Sequence, residues 1–89
     1  MKTKRISIGR DITAIHAWML ANNETEPGLA ERSGVSRGTV QIAKIGPNWD
    51  VDQQYVGRSS ADKLAEVTGI DRRVISDGEL RTEWLVPVV

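Results

Sequence analysis

The chain has 89 residues with 12 basic and 12 acidic side chains, a formal net charge of zero and no cysteine. This length allows one domain with one modest core, and the lack of cysteine excludes disulfides and thiolate metal sites. No apolar run approaches the roughly 20 residues of a membrane span and the N-terminus has no apolar signal-peptide core, so we expect a cytoplasmic protein.

Residues 1–10 are predicted to form a basic N-terminal arm or a short strand. Ile6 and Ile8 alternate with polar neighbours, as apolar residues do in a half-buried strand. The arm contains four basic side chains and no acidic one: Lys2, Lys4, Arg5 and Arg10. Such a cluster is typical of contacts with an anionic partner, and the alternative is a solvated face.

Residues 11–76 are predicted to form the folded domain, which begins with two helices. Apolar residues recur every three or four positions over 12–21, so a first helix is expected there, with Asp11 as its N-cap. His16 lies beside the apolar face. We interpret it as structural, because a catalytic base needs a partner and a metal site needs further ligands. A second helix follows Thr25, whose hydroxyl can cap it.

The segment over 29–46 is the most informative part of the chain, because it is predicted to be two short helices joined at Gly34. Glycine adopts the left-handed conformation of a helix end without a steric clash. Ser36 can cap the next helix, which should run over 37–44 and stop before Pro47. The buried side of that helix is predicted to hold two residues: Val40 and Ala43.

This hairpin resembles the helix-turn-helix of the phage repressor and Cro-like DNA-binding family. The family pattern consists of a small residue, a glycine turn, a Val-Ser restart and a buried aliphatic residue. The chain meets it with Ala30, Gly34, Val35, Ser36 and Val40. The resemblance covers about a fifth of the chain. It implies a mainly α fold, which is a compact bundle of about five short helices with a helix-turn-helix and possible short terminal β-strands.

The connection over 46–60 is longer than is usual in a compact helical domain. We expect Trp49 and Val51 to hold it against the core. A fourth helix is predicted over 61–68, with a serine cap at 59–60.

The segment over 64–75 repeats the pattern of small residue, glycine and capped restart, so the chain contains a second candidate hairpin. Here Gly69 ends the fourth helix, and Asp71 caps a fifth that runs to about Ser76.

Either hairpin, 29–45 or 64–76, is a candidate reader of DNA. We favour the first, because the family places its recognition helix in the first of two such hairpins and uses the second to close the core. Arg72 and Arg73 of the second hairpin are interpreted either as phosphate contacts or as solvated charges.

Residues 77–89 are predicted to be a C-terminal tail for dimerisation or packing, because the last six residues are almost entirely apolar. One alternative is a strand that folds back on residues 4–8, with Pro87 at an edge. The other is a strand exchanged with a second subunit. We expect a homodimer, since a two-fold dimer doubles the contacts of one short helix on a palindromic site. The residues assigned to the dimer interface are Trp84, Leu85, Val86 and Val88.

The resemblance implies that the helix beginning at Arg37 enters the major groove of double-stranded DNA. Arginine suits the two acceptors of guanine, glutamine the edge of adenine, and an aliphatic side chain the methyl group of thymine. The predicted base-reading residues are Arg37, Gly38, Gln41 and Ile42. The predicted phosphate contacts are Thr25, Ser36, Thr39, Lys44, Lys2, Lys4 and Arg5. Glu26 stands where the family often has a glutamine, and its carboxylate would repel the DNA backbone.

We therefore predict a sequence-specific transcriptional regulator, similar to a small phage or prophage Cro or repressor, in the cytoplasm of a bacterial host. The sequence indicates no enzyme, because it contains no phosphate-binding loop, metal-ligand cluster or nucleophile with a matched base. It likewise indicates no cofactor, small-molecule ligand or membrane partner. The alternative is a helix-turn-helix scaffold that binds a protein, as a phage inhibitor or an antitoxin does, which the zero net charge and Glu26 favour.

Overall fold

The computed structural model describes residues 2–48, 50 and 54–89. Along these ranges the order is one strand, five helices and a second strand. The elements are β1 (Lys2–Thr13), α1 (Ala14–Ala21), α2 (Glu26–Ser33), α3 (Arg37–Ile45), α4 (Arg58–Thr68), α5 (Arg72–Asp77) and β2 (Leu80–Val88). Trp49 and Val51, which are predicted to hold the long connection against the core, lie outside the described residues.

The sheet corrects the predicted fold class, because a mainly α bundle with short terminal strands is wrong. β1 has 12 residues and β2 has 9, and they pair antiparallel from Lys2 opposite Val88 to Thr13 opposite Leu80. The described part of the chain is therefore an α+β fold, with five helices and one two-stranded sheet. Residues 80–88 of the tail fold back on their own chain, as in the first of the two predicted alternatives, and they pair with residues 2–7 and 12–13 rather than with 4–8.

The length of β1 has no strong local signature in the sequence. Its buried apolar residues are Ile6 and Ile12, and every residue between them is exposed, so no strict alternation marks the strand. The indole N–H of Trp84 donates a hydrogen bond of 2.7 Å to the backbone carbonyl of Ile12. This contact joins β2 to the end of β1, and the pairing of Ile12 with Arg81 places Ile12 in the sheet rather than in the first helix.

The helices agree with the predictions except at two starts. α1 begins at Ala14, because Thr13 rather than Asp11 is its N-cap and accepts a hydrogen bond from the backbone N–H of His16 at 3.2 Å. α4 begins at Arg58, before the predicted serine cap, and its N-cap Gly57 has no side chain to accept a bond. α2, α3 and α5 start directly after their predicted caps.

A bulge interrupts β1 where the strand approaches α1. Residues 8–11 lie opposite Thr82 alone, so β1 carries three extra residues at this point. Gly9 has a φ of 80°, which glycine adopts without strain. The hydroxyl of Thr82 donates to the carboxylate of Asp11 at 2.8 Å and ties the bulge to β2. Bulges of this kind bend a strand and redirect its side chains.

One hydrophobic core joins the sheet to the helices. Its largest fully buried apolar side chains are Trp18, Ile15, Leu29, Leu64, Val40 and Val86. Two of the four residues assigned to a dimer interface, Trp84 and Val86, are thus buried within their own chain. Leu85 is 64% exposed, and Val88 is half-buried.

A substitution at Gly78 tests the close contact between the end of α5 and the loop after α3. Its φ of 61° is left-handed, and a Cβ atom built there would overlap the ring of Pro47. We expect Gly78→Ala to lower the free energy of unfolding by about 2–3 kcal/mol in urea denaturation, because backbone strain and overlap add. Gly38→Ala is the matched control. A Cβ built at Gly38, inside α3, meets only the hydroxyl oxygen of Ser36, at an ordinary contact distance of 3.9 Å, so this variant should gain about 0.5–1 kcal/mol. Equal effects of the two substitutions would contradict this account of the contact.

Candidate nucleic-acid interface

α2 begins and ends as its sequence predicts. The hydroxyl of Thr25 accepts a hydrogen bond from the backbone N–H of Gly28 at 3.1 Å. Leu29 and Ala30 face the core, and the buried hydroxyl of Ser33 donates to the carbonyl of Leu29 at 2.7 Å. The helix is therefore held by its cap and by one apolar side.

The turn between α2 and α3 also follows the predicted pattern. Gly34 has a φ of 76°, and its N–H donates to the carbonyl of Ala30 at 2.9 Å. Val35 packs against the core. Ser36 caps α3 by accepting from the backbone N–H of Thr39 at 3.1 Å. These contacts fix the direction in which α3 leaves the turn.

α3 has one buried side and one exposed side. Val40 and Ala43 are in the core, at 0% and 2% exposure. The exposed side is formed by Arg37, Gly38, Gln41 and Ile45. These positions lie within about 100° of arc on a helix of 3.6 residues per turn, so they form one continuous surface. We call this surface the outer face of α3.

Three of the four predicted base-reading residues lie on the outer face, namely Arg37, Gly38 and Gln41. Ile42 lies at its margin, is half-buried and packs against the core. Ile45, which the sequence reasoning missed, is 67% exposed and lies one turn beyond Gln41. The four-residue spacing from Gln41 to Ile45 is the signal that identifies it.

Three predicted phosphate contacts already have partners inside the hairpin. Thr25 and Ser36 act as N-caps, and the hydroxyl of Thr39 lies 2.9 Å from that of Ser36. A cap serine or threonine keeps further hydrogen-bonding capacity at its oxygen, and Thr25 and Ser36 are exposed.

Lys44 and Glu26 form a pair that the sequence reasoning treats separately. Their side chains are 3.5 Å apart and each is about one-third exposed. The ammonium group of Lys44 therefore neutralises the carboxylate that would repel a DNA backbone, and the pairing leaves Lys44 with less free charge for a phosphate. Moreover, the hydroxyl of Thr13 donates to the carbonyl of Lys44 at 2.6 Å, which ties the last turn of α3 to the start of α1.

The predicted arm contacts lie at the other end of α1. Lys2 pairs with Val88 in the sheet, and the neighbouring Val89 and Pro87 bond to the side chain of Asn22 just after α1. α1 has 8 residues and is about 12 Å long at 1.5 Å per residue. The structure thus separates the first residues of the arm from the last turn of α3.

Lys4 and Arg5 also belong to β1, and both are exposed. Arg5 lies 3.6 Å from the carboxylate of Glu83 on β2. Arm residues are therefore fixed in the sheet rather than free to follow a groove.

A different basic group lies beside the last turn of α3. Arg10, from the bulge, lines a cavity of about 340 Å³ together with His16 and Lys44. Burial lowers the pKa of His16 below its ordinary value of 6.5, and the positive charges of Lys44 and Arg10 lower it further. Asp11 also lines this cavity. The bulge is the reason that the sequence pattern does not show Arg10 as a neighbour of α3.

His16 should make stability depend on pH. Well above pH 6.5 the imidazole is neutral in both the folded and the unfolded state and does not affect stability. As the pH falls through 6.5, unfolded His16 binds a proton before folded His16 does, so the free energy of unfolding decreases. In urea denaturation between about pH 7.5 and 5.5, we expect wild type to lose more stability than His16→Gln. Equal losses in the two proteins would show that His16 keeps its ordinary pKa.

The second hairpin is also present, but its second helix is shorter. Gly69 has a φ of 76°, and Asp71 caps α5 by accepting from the backbone N–H of Arg73 at 2.7 Å. α5 has 6 residues against the 9 of α3. A helix of fewer than two turns offers a smaller surface to a DNA groove. The lengths of the two helices therefore favour α3 over α5 as the candidate recognition helix.

Within residues 2–48, 50 and 54–89, no group of three or more His, Asp or Glu side chains could hold a metal ion. No helix in the same ranges is long and apolar enough to cross a membrane. Comparisons of the chain with protein-family models, curated proteins and solved structures found no match. Its function therefore has to be inferred from the geometry and chemistry of its exposed residues.

Proposed function

We propose that the chain is a sequence-specific DNA-binding transcriptional regulator that acts in the cytoplasm of a bacterial host, as phage repressor and Cro-like proteins do. The observation that supports this function best is the outer face of α3. It combines one guanidinium group, one amide, one glycine and one apolar side chain on a helix whose opposite side is packed in the core. In a major groove, a guanidinium group recognises guanine, an amide recognises adenine, and an apolar side chain contacts the methyl group of thymine.

Each outer-face residue has a separate role in this proposal. The guanidinium group of Arg37 pairs with no carboxylate among the described residues, so it is available for guanine. Gln41 can bond to adenine through its amide, and Ile45 rather than Ile42 meets a thymine methyl group. Gly38 allows the helix backbone to approach the bases closely.

We propose that two copies bind a palindromic operator. One α3 reads few base pairs, and a two-fold dimer doubles the contacts. The burial of Trp84 and Val86 leaves Leu85 and Val89 as the exposed apolar residues at this end of the chain. A two-stranded sheet also has unpaired edges that a second copy can cover. Sedimentation at micromolar concentration tests this part, and a monomer that binds one half-site tightly would contradict it.

The proposed function is tested by selecting bound fragments from random double-stranded DNA. We expect a palindromic site, and an affinity that falls steeply as the salt concentration rises. Arg37→Ala should relax the preference at one base pair of each half-site by about 1–3 kcal/mol. Arg37→Lys is the matched control, because it keeps the charge and loses the bidentate geometry. It should preserve the salt dependence and still lose the guanine preference.

The second candidate function is a protein-binding module, as in a phage inhibitor or an antitoxin. Ile45 favours it, because an apolar side chain that is 67% exposed suits a protein surface. The pairing of Lys44 with Glu26 also leaves the hairpin with little free positive charge. Weak DNA binding without sequence preference at every salt concentration would support this candidate and contradict the first.

A further inference from the structure

Three arginine side chains converge on one cavity formed by α4 and α5. The cavity has a volume of about 300 Å³ and is lined by Arg58, Ala61, Arg72, Arg73 and Ser76. The three arginines are exposed. They meet because Gly69, with its left-handed φ of 76°, turns α5 back towards α4, so the first residue of α4 and the first two of α5 share one surface.

The positive charge of this cavity is only partly compensated. Arg72 lies 3.3 Å from the carboxylate of Asp62. Asp71 lines a neighbouring hollow, and its carboxylate caps α5. The side chains of Arg58 and Arg73 make no ion pair with any carboxylate in the part of the chain that the structure describes. Two guanidinium groups are thus available at a cavity whose lining contains no acidic residue.

We propose that this cavity binds a phosphate group. Guanidinium groups bond phosphate oxygens in a bidentate manner, and a phosphate dianion offsets the mutual repulsion of the arginines. The hydroxyl of Ser76 supplies a further donor at the lining. The volume also leaves room for part of an attached molecule. The phosphate belongs either to a small molecule or to a nucleic-acid backbone. This inference does not depend on the outer face of α3, because no lining residue belongs to that helix.

The direct test uses inorganic phosphate and the full chain, followed by amide NMR. We expect saturable shifts centred on residues 58–61 and 72–76. The double variant Arg58→Gln and Arg73→Gln should weaken the fitted affinity at least about tenfold, since hydrogen bonds to charged groups are lost. Both positions are exposed, so the variant should fold. Arg37→Gln on the outer face is the matched control and should bind phosphate as wild type does.

The inference is overturned if phosphate causes only weak, non-saturating shifts over all basic residues, or if the double variant titrates like wild type. These results leave the proposed DNA recognition by α3 untouched. Conversely, unchanged DNA binding in Arg37→Gln would contradict DNA recognition by α3 and would leave the phosphate site untouched, so the two proposals fail separately.

A second measurement identifies the source of the phosphate. If the backbone of DNA occupies the cavity, the double variant should weaken binding to all DNA sequences alike, and it should reduce the salt slope by about 0.9 for each phosphate contact. Inorganic phosphate should then compete with DNA. If a small molecule is the source, the double variant should bind DNA with unchanged affinity in phosphate-free buffer. These two results decide only the source of the phosphate, because the titration with inorganic phosphate decides whether the anion site exists.

Discussion

Trp84→Ala should lower the free energy of unfolding by about 3–5 kcal/mol, which is the usual cost of removing a buried tryptophan side chain. Trp84 is 6% exposed and lies opposite Ile6 in the sheet. The guanidinium group of Arg81 lies over the Trp84 ring in a cation–π contact, with its carbon atom 4.4 Å from the ring centre. Urea denaturation followed by circular dichroism measures the effect.

Two further variants separate the contributions to this effect. Trp84→Phe keeps most of the apolar contact and removes the donor to the carbonyl of Ile12, so about 1–2 kcal/mol should be lost. Leu85→Ala changes the adjacent, 64% exposed residue and should cost less than about 0.5 kcal/mol. If Trp84→Ala costs no more than Leu85→Ala, the tail does not pack in the core of its own chain.

Local chemistry explains why the α2–α3 hairpin can be predicted from the sequence. Gly34, Ser36 and Thr39 lie within six positions, and each is fixed by its own backbone or by a near neighbour. Glycine is favoured at a left-handed helix end, and serine is favoured at an N-cap, independently of the rest of the chain. The buried positions Val40 and Ala43 follow from helical periodicity alone.

The sheet depends on contacts between distant residues, and for that reason its extent cannot be predicted locally. Trp84 bonds to Ile12 across 72 positions. The bulge at 8–11 then shifts the register of β1 against β2 by three residues, and the strand loses the alternation that would reveal its length. The resemblance of the hairpin to a mainly α family contains no information on this sheet, and the fold class that it implies is therefore wrong.

The candidate site shows the same division between local and distant contacts. Helical spacing alone predicts that Arg37, Gly38 and Gln41 share one side of α3, and all three are exposed there. Lys44 and Glu26 are each identifiable, but their pairing joins the end of α3 to the start of α2. The ion pair lowers the positive charge that Lys44 can offer to a phosphate. This pairing cannot be predicted from either residue alone.

Val40→Asp and Gln41→Asp place the same carboxylate at adjacent positions of α3 and should differ strongly in their effect on the free energy of unfolding. Val40 is fully buried. A charge there has no partner, so we expect a loss of more than about 4 kcal/mol. The free energy of unfolding of small domains is about 5–15 kcal/mol, so Val40→Asp should lose a large fraction of its stability in urea denaturation followed by circular dichroism at 25 °C.

Gln41 is exposed, and Gln41→Asp should therefore keep the fold, at a cost of about 0.5 kcal/mol for the poorer helix former. Under the proposed DNA recognition, its affinity for the selected DNA site should nevertheless fall at least about 100-fold, because the amide contact would be lost and a carboxylate would face the bases and phosphates. A folded Gln41→Asp variant with wild-type DNA affinity would exclude the outer face of α3 as the reader. A Val40→Asp variant that is as stable as wild type would exclude the packing of α3 on which that face depends.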